Sequence, residues 1–166
     1  LFMILTGKQI LEGKIVSDVI DATLQEQSCG VDLTISKIET YMSAGVIDFD
    51  NSKREKPRMS EISFIDGECD LNPGAYLVTF NETVSVPVDK VGIAMPRSTM
   101  LRCGATMETS IWDPGYVGKS QSMLVVYNRQ GIRLCENARI MQIMFMDVGQ
   151  VAEAYSGIYN GEGLKQ

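Results

Sequence analysis

Short stretches of alternating apolar and polar residues recur along this chain and set its architecture. Val31-Asp32-Leu33-Thr34-Ile35, Ala75-Tyr76-Leu77-Val78-Thr79-Phe80 and Thr83-Val84-Ser85-Val86 alternate, as a strand with one buried face does. Val91-Gly92-Ile93-Ala94-Met95 and Met123-Leu124-Val125-Val126-Tyr127 are nearly continuous apolar runs. Gly, Pro, Asn and Asp separate these pieces, and helical periodicity is scarce. Many short strands with frequent turn signals predict an all-β sandwich or jelly roll. One short helix is expected at Thr6-Gly7-Lys8-Gln9-Ile10-Leu11-Glu12, with Thr6 as N-cap and Gly13 as terminator.

The stretch Ile140-Met141-Gln142-Ile143-Met144-Phe145-Met146 breaks the half-buried pattern. Ile140, Met144 and Met146 point to one side, and Met141, Ile143 and Phe145 to the other. A strand apolar on both faces needs cover on both. The second face is therefore expected to pack against another subunit, the alternative being a strand central to the monomer core. Asn51-Ser52-Lys53-Arg54-Glu55-Lys56-Pro57-Arg58 reads as a solvated loop without chemistry. Tyr155 to Gln166 is glycine-rich and polar and reads as a mobile arm. Residues 3–154 then form one β domain and 155–166 its arm, while Leu1 and Phe2, ahead of Met3, read as an extraneous addition.

Composition narrows the function. A chain of 166 residues and net charge −6 lacks the basic stripe that a nucleic-acid polymer requires. A small phosphate ligand is allowed, since a few converging Arg side chains suffice. No apolar run approaches the ~20 residues of a membrane helix, and Leu1 to Leu5 are too short for a signal peptide, so a soluble cytoplasmic protein is expected. Histidine is absent, which removes Ser-His-Asp and Cys-His nucleophiles and His-bearing zinc sites. Cys29, Cys69, Cys103 and Cys135 form no C-x-x-C pair and read as buried thiols in a reducing compartment. A catalytic metal would sit on oxygen ligands, which points to Mg²⁺.

Three stretches carry candidate chemistry. Arg97-Ser98-Thr99 follows an apolar strand and offers a guanidinium fork, two hydroxyls and backbone amides for an anion; as an isolated triplet it is also a common surface turn. Asp113 follows the only tryptophan, Trp112, and precedes Pro114-Gly115. Its carboxylate can draw a proton from a held water or simply support the turn. Tyr116 offers a flat face to a sugar or base, or packs in the core. Asp32, Arg139 and Gln142 place polar groups within apolar strands. A buried polar group must find a partner or cost roughly 1–3 kcal/mol, so at least one of them is expected to meet a ligand or partner.

In this order, these stretches resemble the dUTPase and dCTP deaminase superfamily. Met3-Ile4-Leu5-Thr6-Gly7-Lys8-Gln9-Ile10 is similar to the deaminase branch, and Gln27-Ser28-Cys29-Gly30-Val31-Asp32-Leu33 to the first motif of both branches. Asn81 to Pro87 with Pro96 to Gly104 resembles the second motif, Ile111 to Gly118 the third, and Asn137 to Gln142 the fourth. The resemblance implies a distorted jelly roll (β-clip) that assembles as a homotrimer, with sites at subunit boundaries. Deaminases of this kind carry a glutamate three residues before a closing Tyr-Asn; here Val125 stands there, and no Asp or Glu lies between Pro114 and Cys135. Deamination is rejected on that ground.

The implied reaction is hydrolysis of dUTP to dUMP and pyrophosphate. Asp113 would activate water against the α-phosphate, and Arg97, Ser98 and Gln142 would cradle the phosphates. Thr99, Arg102, Thr109 and Arg139 complete the substrate contacts. Tyr116 would pack on the deoxyribose, backbone groups from Met107 to Ile111 would read uracil, and Asp32 would hold Mg²⁺ through water. The tail departs from the usual dUTPase arm and is similar to a shortened deaminase tail, in which Tyr159 would cover the base and Lys165 approach the γ-phosphate. The alternatives are a dCTP deaminase, bifunctional or not, and a non-catalytic nucleotide-binding regulator.

Overall fold

A computed structural model describes residues 3–149 and 153–164, so the readings of Leu1, Phe2 and Lys165 lie outside the described residues. Among the described residues, three short helices and thirteen strands follow one another. They begin with α1 (Gly7–Glu12), β1 (Val16–Ser17), α2 (Ala22–Gln25), β2 (Glu26–Gln27), β3 (Gly30–Tyr41), β4 (Met59–Ile62) and β5 (Glu68–Leu71). Then come β6 (Gly74–Phe80), β7 (Thr83–Ser85), β8 (Lys90–Pro96), α3 (Ser98–Arg102) and β9 (Ala105–Glu108). The series closes with β10 (Val117–Gly118), β11 (Gln121–Val126), β12 (Ile132–Cys135) and β13 (Arg139–Asp147).

Strand content dominates, as the alternation predicts, and the fold is all-β and jelly-roll-like. The main sheet runs β8-β13-β3-β6-β11-β9, with β2 and β4 also paired to β3; β1-β7-β10 and β12-β5 form two smaller sheets. Strand β3 is much longer than its Val31–Ile35 core because it passes an irregularity between Ile35 and Lys37 and continues along β6 and β4. Leu33, Ile38, Phe80, Leu124, Ile143 and Phe145 are fully buried and form the centre of the core.

Helix α1 forms as expected, with Thr6 and Gln9 capping each other: Gln9 N donates to Thr6 Oγ1 (3.2 Å) and Thr6 N to Gln9 Oε1 (2.9 Å). Gly13 ends it in a right-handed conformation, and Lys14 takes the left-handed one (φ 53°). Helices α2 and α3 have no apolar periodicity and were not expected. Three of the four cysteines, Cys29, Cys103 and Cys135, are exposed, and only Cys69 is buried. Each exposed one sits at a turn, a helix cap or the end of a two-stranded sheet rather than within the main sheet.

Strand β13 divides its two faces. Met141, Ile143 and Phe145 are fully buried, whereas Gln142, Met144 and Met146 are only partly covered. Register extends that second row onto β8, where Met95, Ile93 and Val91 lie opposite Gln142, Met144 and Met146.

Candidate active site

Asp113 is positioned by its neighbour. Trp112 exchanges two backbone bonds with Gly92 (2.9 and 3.0 Å) and its side chain is buried. A Cβ on Gly92 would stand 2.9 Å from Trp112 Cβ and 3.0 Å from a Phe145 ring carbon, so only glycine lets the indole seat against β8. The next residue, Asp113, is exposed and lines a cavity of about 580 Å³. Pro114-Gly115 then reverses the chain, with Gly115 left-handed at φ 83°.

The cavity also receives Thr109, Tyr116 and Tyr159, three of the residues selected from the sequence. Tyr116 is buried under the C-terminal segment, and its hydroxyl donates to Glu162 Oε1 at 2.8 Å. Burial and the adjacent Glu162 carboxylate push this phenol far above its ordinary range. Burial likewise raises the Glu162 carboxyl, against the opposing pull of the Tyr116 hydrogen bond and of Lys56. Backbone bonds lay the segment along the turn: Tyr155 N to Pro114 O (2.8 Å), Gly161 N to Val117 O (2.7 Å) and Lys119 N to Glu162 O (2.8 Å).

A second cluster surrounds Asp32, which is 1% exposed. Arg97 Nε lies 3.0 Å and Arg139 Nη1 3.3 Å from its Oδ2, and Gln27 Nε2 donates to the same oxygen at 3.3 Å. Burial pushes this carboxyl up, and the two guanidinium groups pull against it. Two cations against one anion leave a positive surplus, and both Arg side chains remain about 30% exposed. Gln142 donates to Cys29 O (3.3 Å), and Arg139 also donates to Leu24 O. Within the chain these polar groups already find partners, while the Arg side chains keep part of their surface open. Arg97 is the N-cap of α3, so Arg97-Ser98-Thr99 opens a helix rather than a loop. Ser98, Thr99 and Arg102 are exposed on it, and Arg102 Nη1 donates to Ser98 O (3.1 Å).

The two clusters stand apart within one chain. Trp112 is bridged to Gly92, and Arg97 follows the end of the same strand five residues on. At the strand rise of about 3.3 Å per residue, that is roughly 16 Å.

Several cavity residues escaped the sequence reading. Lys56 and Pro57 come from the stretch read as a loop without chemistry, and Lys56 Nζ sits 4.4 Å from the Tyr159 ring centroid. Lys37 and Glu39 reach the cavity from β3, and Gln121 from β11. The only available signal was a polar i,i+2 pair within an apolar strand. Strand β11 carries no acid, as expected, yet Glu39 and Glu162 bring two further carboxylates to the lining of the cavity that Asp113 shares.

The fold is that of the dUTPase and dCTP deaminase superfamily. Residues 4–148 match the family model described as dCTP deaminase-like, and the chain belongs to that family. A 2′-deoxycytidine 5′-triphosphate deaminase from Agrobacterium tumefaciens superposes with a TM-score of 0.67 at 19% identity, over 89% of this chain and 48% of that one, so this chain spans about half its length. The native EIAV dUTPase superposes with a TM-score of 0.50 at 12% identity, over 95% and 98% of the two chains. In sequence, the chain is 46% identical to a probable deoxyuridine 5′-triphosphate nucleotidohydrolase of Methanosarcina barkeri, over 91% of this chain and 90% of that one. It is 40% identical to the deoxyuridine 5′-triphosphate nucleotidohydrolase of Methanocaldococcus jannaschii, over 82% and 88%.

Proposed function

We propose that this chain is a dUTP diphosphatase, hydrolysing dUTP to dUMP and pyrophosphate. The observation that carries the proposal is the separation of a carboxylate-bearing cavity from a cationic cluster. The cavity suits a nucleoside, with aromatic faces and Asp113 on its wall; the surplus charge of Arg97 and Arg139 suits phosphates. The names of the archaeal relatives, matched over most of both chains, support the same reaction.

Asp113 takes the proton of a water that attacks the α-phosphorus, while Arg97, Ser98, Thr99, Arg102, Arg139 and Gln142 hold the phosphates. Tyr116, Thr109 and Tyr159 hold the sugar and base. In-line displacement at phosphorus needs positioning and charge neutralisation above all. Along β8 about 16 Å of backbone separates the bridge beside Asp113 from Arg97, which holds the phosphates. A homotrimer with sites shared between copies closes that gap. The outward row of Met95, Met144 and Met146 gives such an assembly an apolar surface.

Among the described residues no group of three or more acidic, Cys or His side chains is placed to hold a metal. Mg²⁺ therefore fits here only as a companion of the triphosphate, whose charge it neutralises when bound. Asp32 fits as the holder of one of its waters: the donors of Arg97, Arg139 and Gln27 all meet Oδ2, which leaves Oδ1. No described helix is long and apolar enough to cross a membrane, and the net charge of −6 suits a small-molecule enzyme of the cytoplasm.

The test is incubation with dUTP and with dCTP, each with Mg²⁺ and with chelator, following pyrophosphate and ammonia separately. Pyrophosphate from dUTP, lost on chelation, is expected. Ammonia from dCTP would make the chain a deaminase, and neither product would make it a regulator.

A further inference from the structure

Gln25 is a buried polar residue that the hydrolytic mechanism leaves unused. Helix α2 has four residues, of which Ala22, Thr23 and Leu24 are exposed and Gln25 is 1% exposed. A single turn that buries no apolar side chain does not hold its own place. The Gln25 amide supplies that hold. Its Oε1 accepts from Ile20 N (2.7 Å) and Asp21 N (3.0 Å), and its Nε2 donates to Asp32 O (2.9 Å) and Glu82 Oε1 (2.7 Å). The hydrogen-bonding capacity of the amide is thereby filled on both its oxygen and its nitrogen. Asp21 closes the turn by accepting from Thr23 N (2.9 Å) and Leu24 N (3.2 Å).

The carbonyl at the end of this turn points to the purpose. Leu24 O accepts from Arg139 Nη1 and from Gln27 Nε2 (3.2 Å), and the same two side chains also meet Asp32 Oδ2. Arg139 is therefore held between a carboxylate of β3 and a carbonyl of α2. Gln25 fixes the spacing of those two acceptors, because it bonds backbone on both sides. A fully satisfied buried network of this kind specifies orientation, which an apolar side chain of equal volume would not.

We infer that Gln25 is a positioning residue of the phosphate cluster, fixing the Leu24 carbonyl and through it the Arg139 guanidinium. The inference rests on the reading of Arg97 and Arg139 as phosphate holders and adds the residue that keeps the second of them in place. A guanidinium released from Leu24 O is free to close a two-point pair with the Asp32 carboxylate. That pair occupies the donors that phosphate needs, and the positive surplus of the cluster shrinks.

Calorimetric binding of the α,β-imido analogue of dUTP, beside deoxyuridine as the ligand without phosphate, tests this. The variants are Gln25→Met, Arg139→Ala, their combination and the control Leu134→Ala. Methionine fills the volume of glutamine without its hydrogen bonds. Gln25→Met should weaken the analogue about tenfold or more and leave deoxyuridine unchanged. Arg139→Ala should weaken the analogue as well, and the combination should be no weaker than Arg139→Ala, since both changes act through one group. Leu134 is buried on β12, away from the cluster. Its truncation lowers the melting temperature but should leave the analogue's affinity unchanged. Should Gln25→Met fail to fold, Asp21→Ala loosens the same turn from an exposed position and decides by the same measures. Unchanged affinity in a folded Gln25→Met, or losses that add in the combination, overturns the inference while dUTP hydrolysis still stands. The expected pattern of binding without pyrophosphate release sinks the hydrolase reading and leaves the inference intact. An analogue that Arg139→Ala binds as tightly as the wild type overturns the phosphate assignment and the inference together.

Discussion

The Tyr116 hydroxyl donates to Glu162 Oε1 at 2.8 Å, which ties the turn carrying Asp113 to the C-terminal segment. Removing that donor in Tyr116→Phe keeps the ring, and with it the edge contact to Tyr155 at 5.9 Å. A half-buried carboxylate loses its hydrogen bond, at a cost of about 1–3 kcal/mol. The amides of Tyr155 and Gly161 should then exchange with deuterium about tenfold faster or more; unchanged exchange would remove this bond from the docking of the segment.

The same carboxyl sets a pH dependence. Glu162 is raised above its ordinary 4.5 in the docked state, so docking favours its protonated form. The contribution is fully present below pH 4.5 and is lost as pH rises through the raised value. Exchange at Tyr155 and Gly161 should therefore quicken with pH beyond its intrinsic rise, and Glu162→Gln should flatten that excess.

Asp113→Asn keeps the size and the exposed position of the side chain but cannot take a proton at neutral pH. Turnover of dUTP should fall on the order of 10²–10⁴-fold, the range of a positioned general base, with binding of the imido analogue retained. Near-normal turnover would take Asp113 out of the mechanism.

Glu82 is fully buried and accepts from Thr34 N (2.9 Å), Thr34 Oγ1 (2.6 Å) and Gln25 Nε2 (2.7 Å). Gln25 in turn accepts from Ile20 N and Asp21 N and donates to Asp32 O, so one acid holds α2 against β3 beneath the Asp32 cluster. Glu82→Ala should cost roughly 3 kcal/mol by leaving those donors unpaired. Burial raises the Glu82 carboxyl above 4.5, so its contribution is greatest below that pH and declines as pH rises through the folded value. Urea denaturation at a series of pH values should show a shallower decline in the variant.

The row of Met95, Met144 and Met146 should be covered in solution. Light scattering should return about 55 kDa, three times 18.3 kDa, and Met144→Lys should give the single-chain mass together with loss of turnover, since sites shared between copies fail when the copies part. A single-chain mass for the active wild type would defeat the shared site.

Local pattern carried far in this chain. The alternation at Val31–Ile35, Ala75–Phe80 and Thr83–Val86 places strands where β3, β6 and β7 run, because strand periodicity is written in the residues themselves. Asp113 and Tyr116 were legible too, since they lie three residues apart around a Pro-Gly turn that local chemistry specifies. The short helix that Arg97-Ser98-Thr99 opens was not legible, because a five-residue helix is set by its packing and leaves no periodic trace.

The sequence by itself therefore determined the strands at 31–35, 75–80 and 83–86, the turn that exposes Asp113 and the apolar residues on both sides of β13. Only the tertiary structure decided that Glu39, Asp113 and Glu162 meet in one cavity, and that Arg97 and Arg139 converge on one oxygen of Asp32. Those residues are separated by tens of positions, and their meeting depends on the register of antiparallel pairs formed across the whole chain. A strand's own composition encodes which way its side chains point; it does not encode which distant strand lies beside it.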